Sequence, residues 1–140
     1  MAQLVRETSS PGETEAAAAE LAERLQPGDV VLVSGELGAG KTTFVRGACR
    51  ALGVTSVVTS PTYTVGQVYS GTDGQEIAHL DLYRLDSLDH EDPALLDDYL
   101  TPERIGFVEW PAAAEARIAR VAVRVRIDHA GGDRRVLHIS

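Results

Sequence analysis

Gly-Glu-Leu-Gly-Ala-Gly-Lys-Thr, at residues 35–42, is the stretch that decides the fold class of this chain. It satisfies the P-loop pattern of a glycine, any four residues, and then Gly-Lys-Thr. An apolar run at 30–33 leads directly into it, and a helical pattern begins near Lys41. A strand that enters such a loop before a helix directs backbone N–H groups and the positive end of the helix at one point. The stretch therefore predicts a binding site for a nucleoside triphosphate.

The residues of the loop have separate predicted roles. Lys41 is expected to contact the β- and γ-phosphates and to neutralise charge that develops as the bond to the leaving group lengthens. The hydroxyl of Thr42 is expected to hold a Mg²⁺ ion that bridges these two phosphates. The other residues of the loop and the first helical turn that are predicted to bind the nucleotide are Gly35, Gly38, Ala39, Gly40 and Thr43.

The rest of the chain alternates strand-like and helix-like patterns, as is typical of an α/β fold. Ser10-Pro11-Gly12-Glu13 combines an N-cap serine with a first-turn proline and glutamate, so a helix is expected to begin there. Apolar and polar residues alternate over 121–128, the period of a half-exposed strand. The predicted helices are 11–25, 43–52, 95–100 and 112–119, and the predicted strands are 3–7, 30–33, 56–59, 64–69, 77–82, 105–108, 121–127 and 136–139.

These elements predict a P-loop NTPase-like fold. A mixed, largely parallel sheet is expected to be flanked by helices and to carry antiparallel edge strands. At 140 residues, the chain has the length of one domain with a substantial core, so residues 1–140 are expected to form a single P-loop domain.

Composition limits the classes of partner. The formal net charge is −8, which argues against this chain alone holding a nucleic acid by its phosphates, because that binding requires clustered Lys and Arg. Cys49 is the only cysteine, so no intrachain disulfide is possible, and a buried, inert thiol in a reducing cytoplasm is expected. The longest uncharged stretch, 51–72, is broken by Gly, Pro, Ser and Thr, and the N-terminus lacks a basic and then apolar segment. Neither a membrane span nor a signal peptide is expected.

Two acidic residues follow apolar strands. The strand at 77–80 leads into Asp81, and the strand at 105–108 leads into Glu109. Ligands in open α/β sheets bind outside the carboxyl ends of the strands, so both carboxylates are expected beside the P-loop. One of them would hold Mg²⁺ and the other would orient the attacking water, and the residues alone leave open which acid has which role.

Three further features are less specific. Ser60-Pro61-Thr62-Tyr63 reads from its composition as an ordinary loop. His79 lies on an apolar strand, where a packed and hydrogen-bonded side chain is expected more often than a base; without a Cys or second His nearby in sequence, a zinc site has little support. Arg84 can meet phosphate charge or pair with the acids that follow it.

Four motifs together resemble the TsaE family, formerly YjeE. They are the P-loop segment at 35–44, Ser-Pro-Thr-Tyr at 60–63, His-Leu-Asp-Leu-Tyr-Arg at 79–84 and Val-Glu-Trp-Pro at 108–111. The resemblance covers nearly the whole chain. It implies a P-loop ATPase that binds ATP and Mg²⁺ and works with the proteins TsaB and TsaD in the threonylcarbamoyl modification of adenosine 37 of tRNA. ATP hydrolysis would then support repeated turnover, with tRNA contacted mainly through the partners.

The resemblance also implies roles for particular residues. Thr42 and Glu109 would contact Mg²⁺, and Asp81 would be a catalytic or metal-linked acid. The segment 60–63 would be switch-like and sense the γ-phosphate, which makes Thr62 a candidate catalytic residue. Trp110 would contact a partner or the edge of the nucleotide, unless it merely packs. Positions that the family places near the nucleotide are also matched by Thr14 and Arg135.

Two other functions compete with a partner-activated ATPase. A small-molecule kinase would need an acceptor pocket and, usually, a lid rich in arginine, yet residues 51–83 contain neither Arg nor Lys. A nucleotide-dependent binding module would change shape without significant hydrolysis. Measurements of ATP turnover and of its products distinguish these functions.

Overall fold

A sheet of seven strands forms the centre of the computed structural model, which describes residues 3–36, 40–60, 65–83, 94–111, 115–118 and 120–140. The helices are Pro11–Ala22 (α1), Lys41–Ala51 (α2) and Leu95–Tyr99 (α3). The strands are Leu4–Thr8 (β1), Val30–Gly35 (β2), Gly66–Ser70 (β3), Glu76–Asp81 (β4), Ile105–Glu109 (β5), Val121–His129 (β6) and Arg135–Ile139 (β7). Within these ranges, no helix has the length and apolar character needed to cross a membrane.

The strand order is β1-β7-β6-β2-β5-β4-β3. The four neighbouring strands β6, β2, β5 and β4 run parallel to one another. The outer strands add antiparallel pairs, with β3 on β4, β7 on β6 and β1 on β7. This arrangement confirms the predicted mixed sheet with a parallel centre, antiparallel edge strands and flanking helices.

Strand β2 lies at the middle of the core. Its residues 30–33 are all buried, as expected of a parallel strand that is covered on both faces. Val31 and Val33 pack into the larger cluster with α1 and α2, whereas Val30 and Leu32 face a smaller cluster that includes Leu96 of α3. Because β2 is packed on both faces, it fixes the position of Gly35, the first residue of the P-loop.

Helix α1 begins as the sequence predicts. The Ser10 Oγ accepts a hydrogen bond from the Glu13 N–H at 3.1 Å, and the Glu13 carboxylate accepts one from the Ser9 N–H at 3.0 Å. The helix ends at Ala22 instead of the predicted residue 25. Leu25 N donates to the Ala22 carbonyl, an i to i−3 bond, so the chain tightens into a turn before Pro27.

A close helix crossing joins α1 to α2. A Cβ atom at Gly47 of α2 would lie 2.4 Å from the Glu15 carbonyl oxygen of α1, a distance that backbone atoms cannot accommodate. Glycine therefore permits the approach of the two helices, and α1 supports the helix that follows the P-loop.

Two predicted elements differ in the structure. The predicted strand at 56–59 is wrong, because these residues pair with no strand. Side chains bind the carbonyls there instead: Arg46 Nε donates to Val58 O at 3.3 Å and the Tyr69 hydroxyl to Thr59 O at 3.4 Å. Of the predicted helix at 112–119, the part Glu115–Arg117 is a 3-10 turn, and residues 112–114 and 119 lie outside the described ranges.

Candidate functional site

The predicted strand-end acids meet beside the start of α2. Asp81 on β4 and Glu109 on β5 are register partners, and Glu109 also pairs with Val33 of β2. Parallel strands bring their carboxyl ends to one edge of the sheet, so both acids lie next to the segment that follows β2. A cleft of about 300 Å³ opens there, and its walls are formed by Gly40, Lys41, Thr42, Thr43, Ser60, Asp81, Tyr83, Glu109 and Trp110.

Four side-chain oxygen groups form a connected network in this cleft. The Thr42 hydroxyl donates to the Glu109 carboxylate, with both carboxylate oxygens at 3.2 Å. The Ser60 hydroxyl lies 3.3 Å from that of Thr42 and donates to Asp81 Oδ2 at 2.8 Å. The other oxygen of Asp81 accepts the Tyr83 N–H at 3.0 Å. Residues from the P-loop helix, a loop and two strands are thus brought together.

Glu109 is buried and has a second partner behind the cleft. His79 Nε2 lies 2.5 Å from Glu109 Oε2, and neither side chain is more than 2% exposed. The other ring nitrogen, Nδ1, lies 3.4 Å from the hydroxyl of Tyr69. His79 is therefore the packed, hydrogen-bonded residue that the sequence predicts.

The start of α2 leaves backbone donors available to a ligand. Gly40 precedes the helix with a φ of 100°, a left-handed conformation that glycine adopts without strain. It has no side-chain oxygen that could cap the helix, and the first helical bond runs from Phe44 N to Gly40 O at 2.9 Å. The N–H groups of the first turn precede that bond, so they can donate to an anion.

Lys41 lies folded against the P-loop and the indole ring of Trp110. Its Nζ donates to the carbonyls of Gly35 at 2.9 Å and Glu36 at 2.7 Å, and it lies 4.0 Å from the centre of the Trp110 ring. Burial lowers the pKa of Lys41, although the charges of Glu109 and Asp81 act in the opposite direction. The ammonium group thus carries its charge in a partly desolvated place, where an anionic ligand would interact with it strongly.

Trp110 adopts an unusual backbone conformation at the end of β5. Its φ is 56°, in the left-handed region that bulky residues rarely occupy. The Trp110 N–H donates to the Val33 carbonyl at 3.1 Å, and the half-buried ring lies 4.9 Å from that of Tyr83. This conformation aims the indole across the cleft towards Lys41.

Thr14 and Arg135 lie beside Gly40, at a second cavity. They line a small cavity together with Pro11, Gly40, Thr43 and Asp133. Thr14 is buried, and its hydroxyl lies 2.7 Å from that of Thr8. The guanidinium of Arg135 donates to the carbonyls of Gly132 at 2.7 Å and Arg134 at 2.8 Å. The structure thus places both residues beside Gly40, in a cavity whose walls do not include Asp81 or Glu109.

Several predicted residues cannot be located in this site. Gly38, Ala39, Thr62 and Arg84 lie outside the described residues.

Cys49 is buried, and burial raises the pKa of its thiol to about 12, in agreement with the expected inert cysteine.

The donor set of the cleft matches the preferences of Mg²⁺. Among the described residues, no group of three or more His, Cys, Asp or Glu side chains forms a metal-binding cluster by itself. Mg²⁺ is instead held in phosphate-binding enzymes by one or two carboxylates, a hydroxyl and the phosphates of the substrate. Thr42, Asp81 and Glu109 supply such hard oxygen atoms, joined through Ser60.

Sequence reasoning missed the contacts that Ser60, Tyr69 and His79 make. Ser60 appears in a motif with a proline, but nothing in its loop composition indicates that its hydroxyl bridges Thr42 and Asp81. Tyr69 reaches His79 diagonally, because β3 pairs with β4 in a register that sets Tyr69 opposite Ile77 and Gln67 opposite His79. A pattern of alternating residues does not specify that register by itself.

The comparisons with known proteins agree on one family. A family model described as "Threonylcarbamoyl adenosine biosynthesis protein TsaE" matches residues 8–137. The tRNA threonylcarbamoyladenosine biosynthesis protein TsaE of Bacillus subtilis is 38% identical over 136 residues, which cover 96% of this chain and 84% of the relative. The protein of the same name from Streptomyces coelicolor is 44% identical over 115 residues, which cover 81% and 77%.

A solved structure supports the same conclusion. The crystal structure of YdiB from Bacillus subtilis superposes with a TM-score of 0.80 at 34% sequence identity, over 99% of this chain and 84% of that one. Because the family model matches residues 8–137 and the motifs and the fold agree with it, this chain belongs to the TsaE family.

Proposed function

We propose that this chain is a Mg²⁺-dependent ATPase that supports threonylcarbamoylation of adenosine 37 in tRNA together with TsaB and TsaD. The proposal is supported above all by the contacts of the Thr42 hydroxyl, in the first turn of α2, with Glu109 and Ser60, and by the hydrogen bond from Ser60 to Asp81. Phosphoryl transfer in P-loop proteins requires a phosphate-binding loop, a hydroxyl that binds Mg²⁺ and carboxylates next to that hydroxyl.

The bound metal would neutralise charge on the β- and γ-phosphates. Thr42 and Glu109 would hold it, since they are in direct contact and Glu109 is 2% exposed. Asp81 is connected to Thr42 only through the Ser60 hydroxyl, and it is less buried than Glu109. We assign to Asp81 the role of orienting either the attacking water or a water bound to the metal.

Lys41 would exchange its partners when a nucleotide binds. Its ammonium contacts two P-loop carbonyls and the Trp110 ring, each a weaker partner than phosphate oxygen. The first-turn N–H groups of α2 would bind the phosphates as well, because they lie at the positive end of the helix. Thr14 and Arg135 would lie next to the nucleotide through their shared cavity with Gly40 and Thr43.

The link to tRNA modification rests on the relatives. Two of them carry the name tRNA threonylcarbamoyladenosine biosynthesis protein TsaE. The net charge of −8 favours a role in which partner proteins contact the tRNA. The cytoplasm, where tRNA is modified in bacteria, is the proposed location.

Rates of ATP hydrolysis test the catalytic part of the proposal. Phosphate release is measured for the chain alone, with TsaB and TsaD, and with both partners and EDTA. We expect slow release alone, faster release with the partners, and none above background in EDTA. Lys41→Ala should remove the partner-stimulated rate. Its matched control is Arg50→Ala, which removes a charge from the exposed end of the same helix.

Nucleotide binding and the fate of the γ-phosphate, measured beside this assay, separate the competing functions. Absence of turnover with both partners, despite nucleotide binding, would contradict the ATPase and favour a binding module. Appearance of the γ-phosphate on an added metabolite would instead identify a kinase.

A further inference from the structure

His79 is a fully buried polar residue for which the proposed chemistry has no role. It lies on β4, two residues before Asp81, and its side chain is 0% exposed. Its Nε2 lies 2.5 Å from Glu109 Oε2, while both Glu109 oxygens lie 3.2 Å from the Thr42 hydroxyl. As a ligand of Mg²⁺, Glu109 would be a carboxylate that only accepts hydrogen bonds, and Nε2 would then donate the hydrogen of this contact.

The far side of the imidazole is held as well. His79 Nδ1 lies 3.4 Å from the hydroxyl of Tyr69, which belongs to the edge strand β3. That hydroxyl also lies 3.4 Å from the carbonyl of Thr59, the residue before Ser60, and its single hydrogen can be donated either to this carbonyl or to Nδ1. A continuous series of polar contacts therefore runs from the loop before Ser60, through Tyr69 and His79, to the Glu109 carboxylate.

We propose that His79 is a positioning residue that fixes the Glu109 carboxylate for Mg²⁺, and that Tyr69 fixes the imidazole of His79. The inference rests on the proposed function, since it concerns the same cleft. Groups behind a metal-binding side chain set its orientation, and their loss commonly lowers metal affinity by about 10–100-fold. Without the N–H of His79, the Thr42 hydroxyl would be the only hydrogen-bond donor left to the buried Glu109 carboxylate among the described residues.

Simple packing of the core is the competing explanation. A packing role would be satisfied by a side chain of similar volume, whereas positioning requires a hydrogen-bond donor at the end of the side chain. His79→Leu fills the space without a donor, and His79→Gln places an amide N–H near the position of Nε2. Tyr69→Phe removes one oxygen only. These three variants separate volume from hydrogen bonding.

The test is a calorimetric titration of the full chain with a non-hydrolysable ATP analogue, in Mg²⁺ and in EDTA. The quantity compared is the ratio of the two dissociation constants, the Mg²⁺ enhancement. We expect His79→Leu to lower this enhancement about tenfold, with the dissociation constant in EDTA unchanged. His79→Gln should restore most of it, and Tyr69→Phe should show a smaller loss. Thermal unfolding confirms that each variant is folded.

Three results overturn the inference in distinguishable ways. A folded His79→Leu variant with the full enhancement contradicts positioning and leaves the proposed function intact. Wild-type protein that binds no nucleotide in either buffer contradicts the proposed function and the inference together. If His79→Leu does not fold, Tyr69→Phe decides: a reduced enhancement supports the inference, and an unchanged one overturns it.

Discussion

Lys41 is the only lysine of the chain, so its ammonium group can be observed without interference from any other lysine side chain. It is 5% exposed, bonded to two carbonyls and close to Trp110. These contacts orient the charge but compensate only part of its lost hydration. The residue that the P-loop pattern predicts for phosphate binding is thus held in a place that favours an anionic ligand.

The titration of Lys41 tests this reading. In protein labelled with ¹³C at lysine Cε, one lysine signal is expected, and its midpoint should lie below the ordinary 10.5, because burial disfavours the charged form. A bound ATP analogue with Mg²⁺ should raise the pKa, because nearby phosphate charge favours the ammonium form. A midpoint at the ordinary value that does not respond to nucleotide would contradict the account.

The two acids are tested by replacing each carboxylate with its amide. Asp81→Asn and Glu109→Gln should lower partner-stimulated hydrolysis about 100-fold, because each removes a negative charge from the reacting centre. Glu76→Gln is the matched control, since Glu76 lies at the other end of β4 and pairs with Arg104. Circular dichroism and the urea midpoint check folding. Full stimulated activity in both cleft variants would show that the acids are wrongly assigned.

The residues of the cleft differ in how far they could be predicted. Asp81 and Glu109 follow apolar strands, and the rule that ligands bind at strand ends places both beside the P-loop. Ser60 could not be assigned in this way, because the position of a loop hydroxyl depends on long-range packing. The contact of His79 with Glu109 depends on the register of β4 and β5, which the sequence pattern leaves open.

At the scale of elements, the start of a helix can be predicted where the groups that stabilise it are close together in sequence. Ser10 and Glu13 define the beginning of α1 through hydrogen bonds within five residues. The strand prediction at 56–59 is wrong because the outcome depends on residues that are distant in sequence. β-branched residues favour extended backbone, but a strand needs a neighbour, and here side chains of Arg46 and Tyr69 bind the carbonyls instead.

The close crossing of α1 and α2 gives a prediction at this scale. Gly47→Ala should lower the free energy of unfolding by about 1–3 kcal/mol, because the new methyl group would lie against the Glu15 backbone. Urea unfolding measures the change. Gly12→Ala, near the start of α1, is the control, because its Cβ would meet only the Ser10 Oγ at 3.8 Å.

The expected sign is informative because helix propensity acts in the opposite direction. Alanine favours a helix by about 1 kcal/mol relative to glycine, so a site without the crossing would be stabilised. A Gly47→Ala variant more stable than wild type would show that the helices are farther apart than described.

At the scale of the whole molecule, charge separates ATP binding from tRNA binding. The net charge is −8, and three arginines on or just before β6 already pair with acids: Arg120 with Asp29, Arg124 with Glu115 and Arg126 with Asp128. We expect the isolated chain to retain negligible tRNA in a filter-binding assay at physiological salt. Tight retention by the chain alone would contradict the proposal that TsaB and TsaD supply the tRNA contacts.

The proposed function is that ATP hydrolysis in this cleft supports tRNA modification by the partner proteins. It is tested most directly by reconstituting threonylcarbamoylation of tRNA with purified TsaB and TsaD, and counting modified adenosines per TsaD molecule. With this chain, ATP and Mg²⁺, the account predicts many modified tRNAs per TsaD, and a loss of this repeated turnover with Lys41→Ala but not with Arg50→Ala. Equal yields without the chain, or with the Lys41→Ala variant, would contradict it.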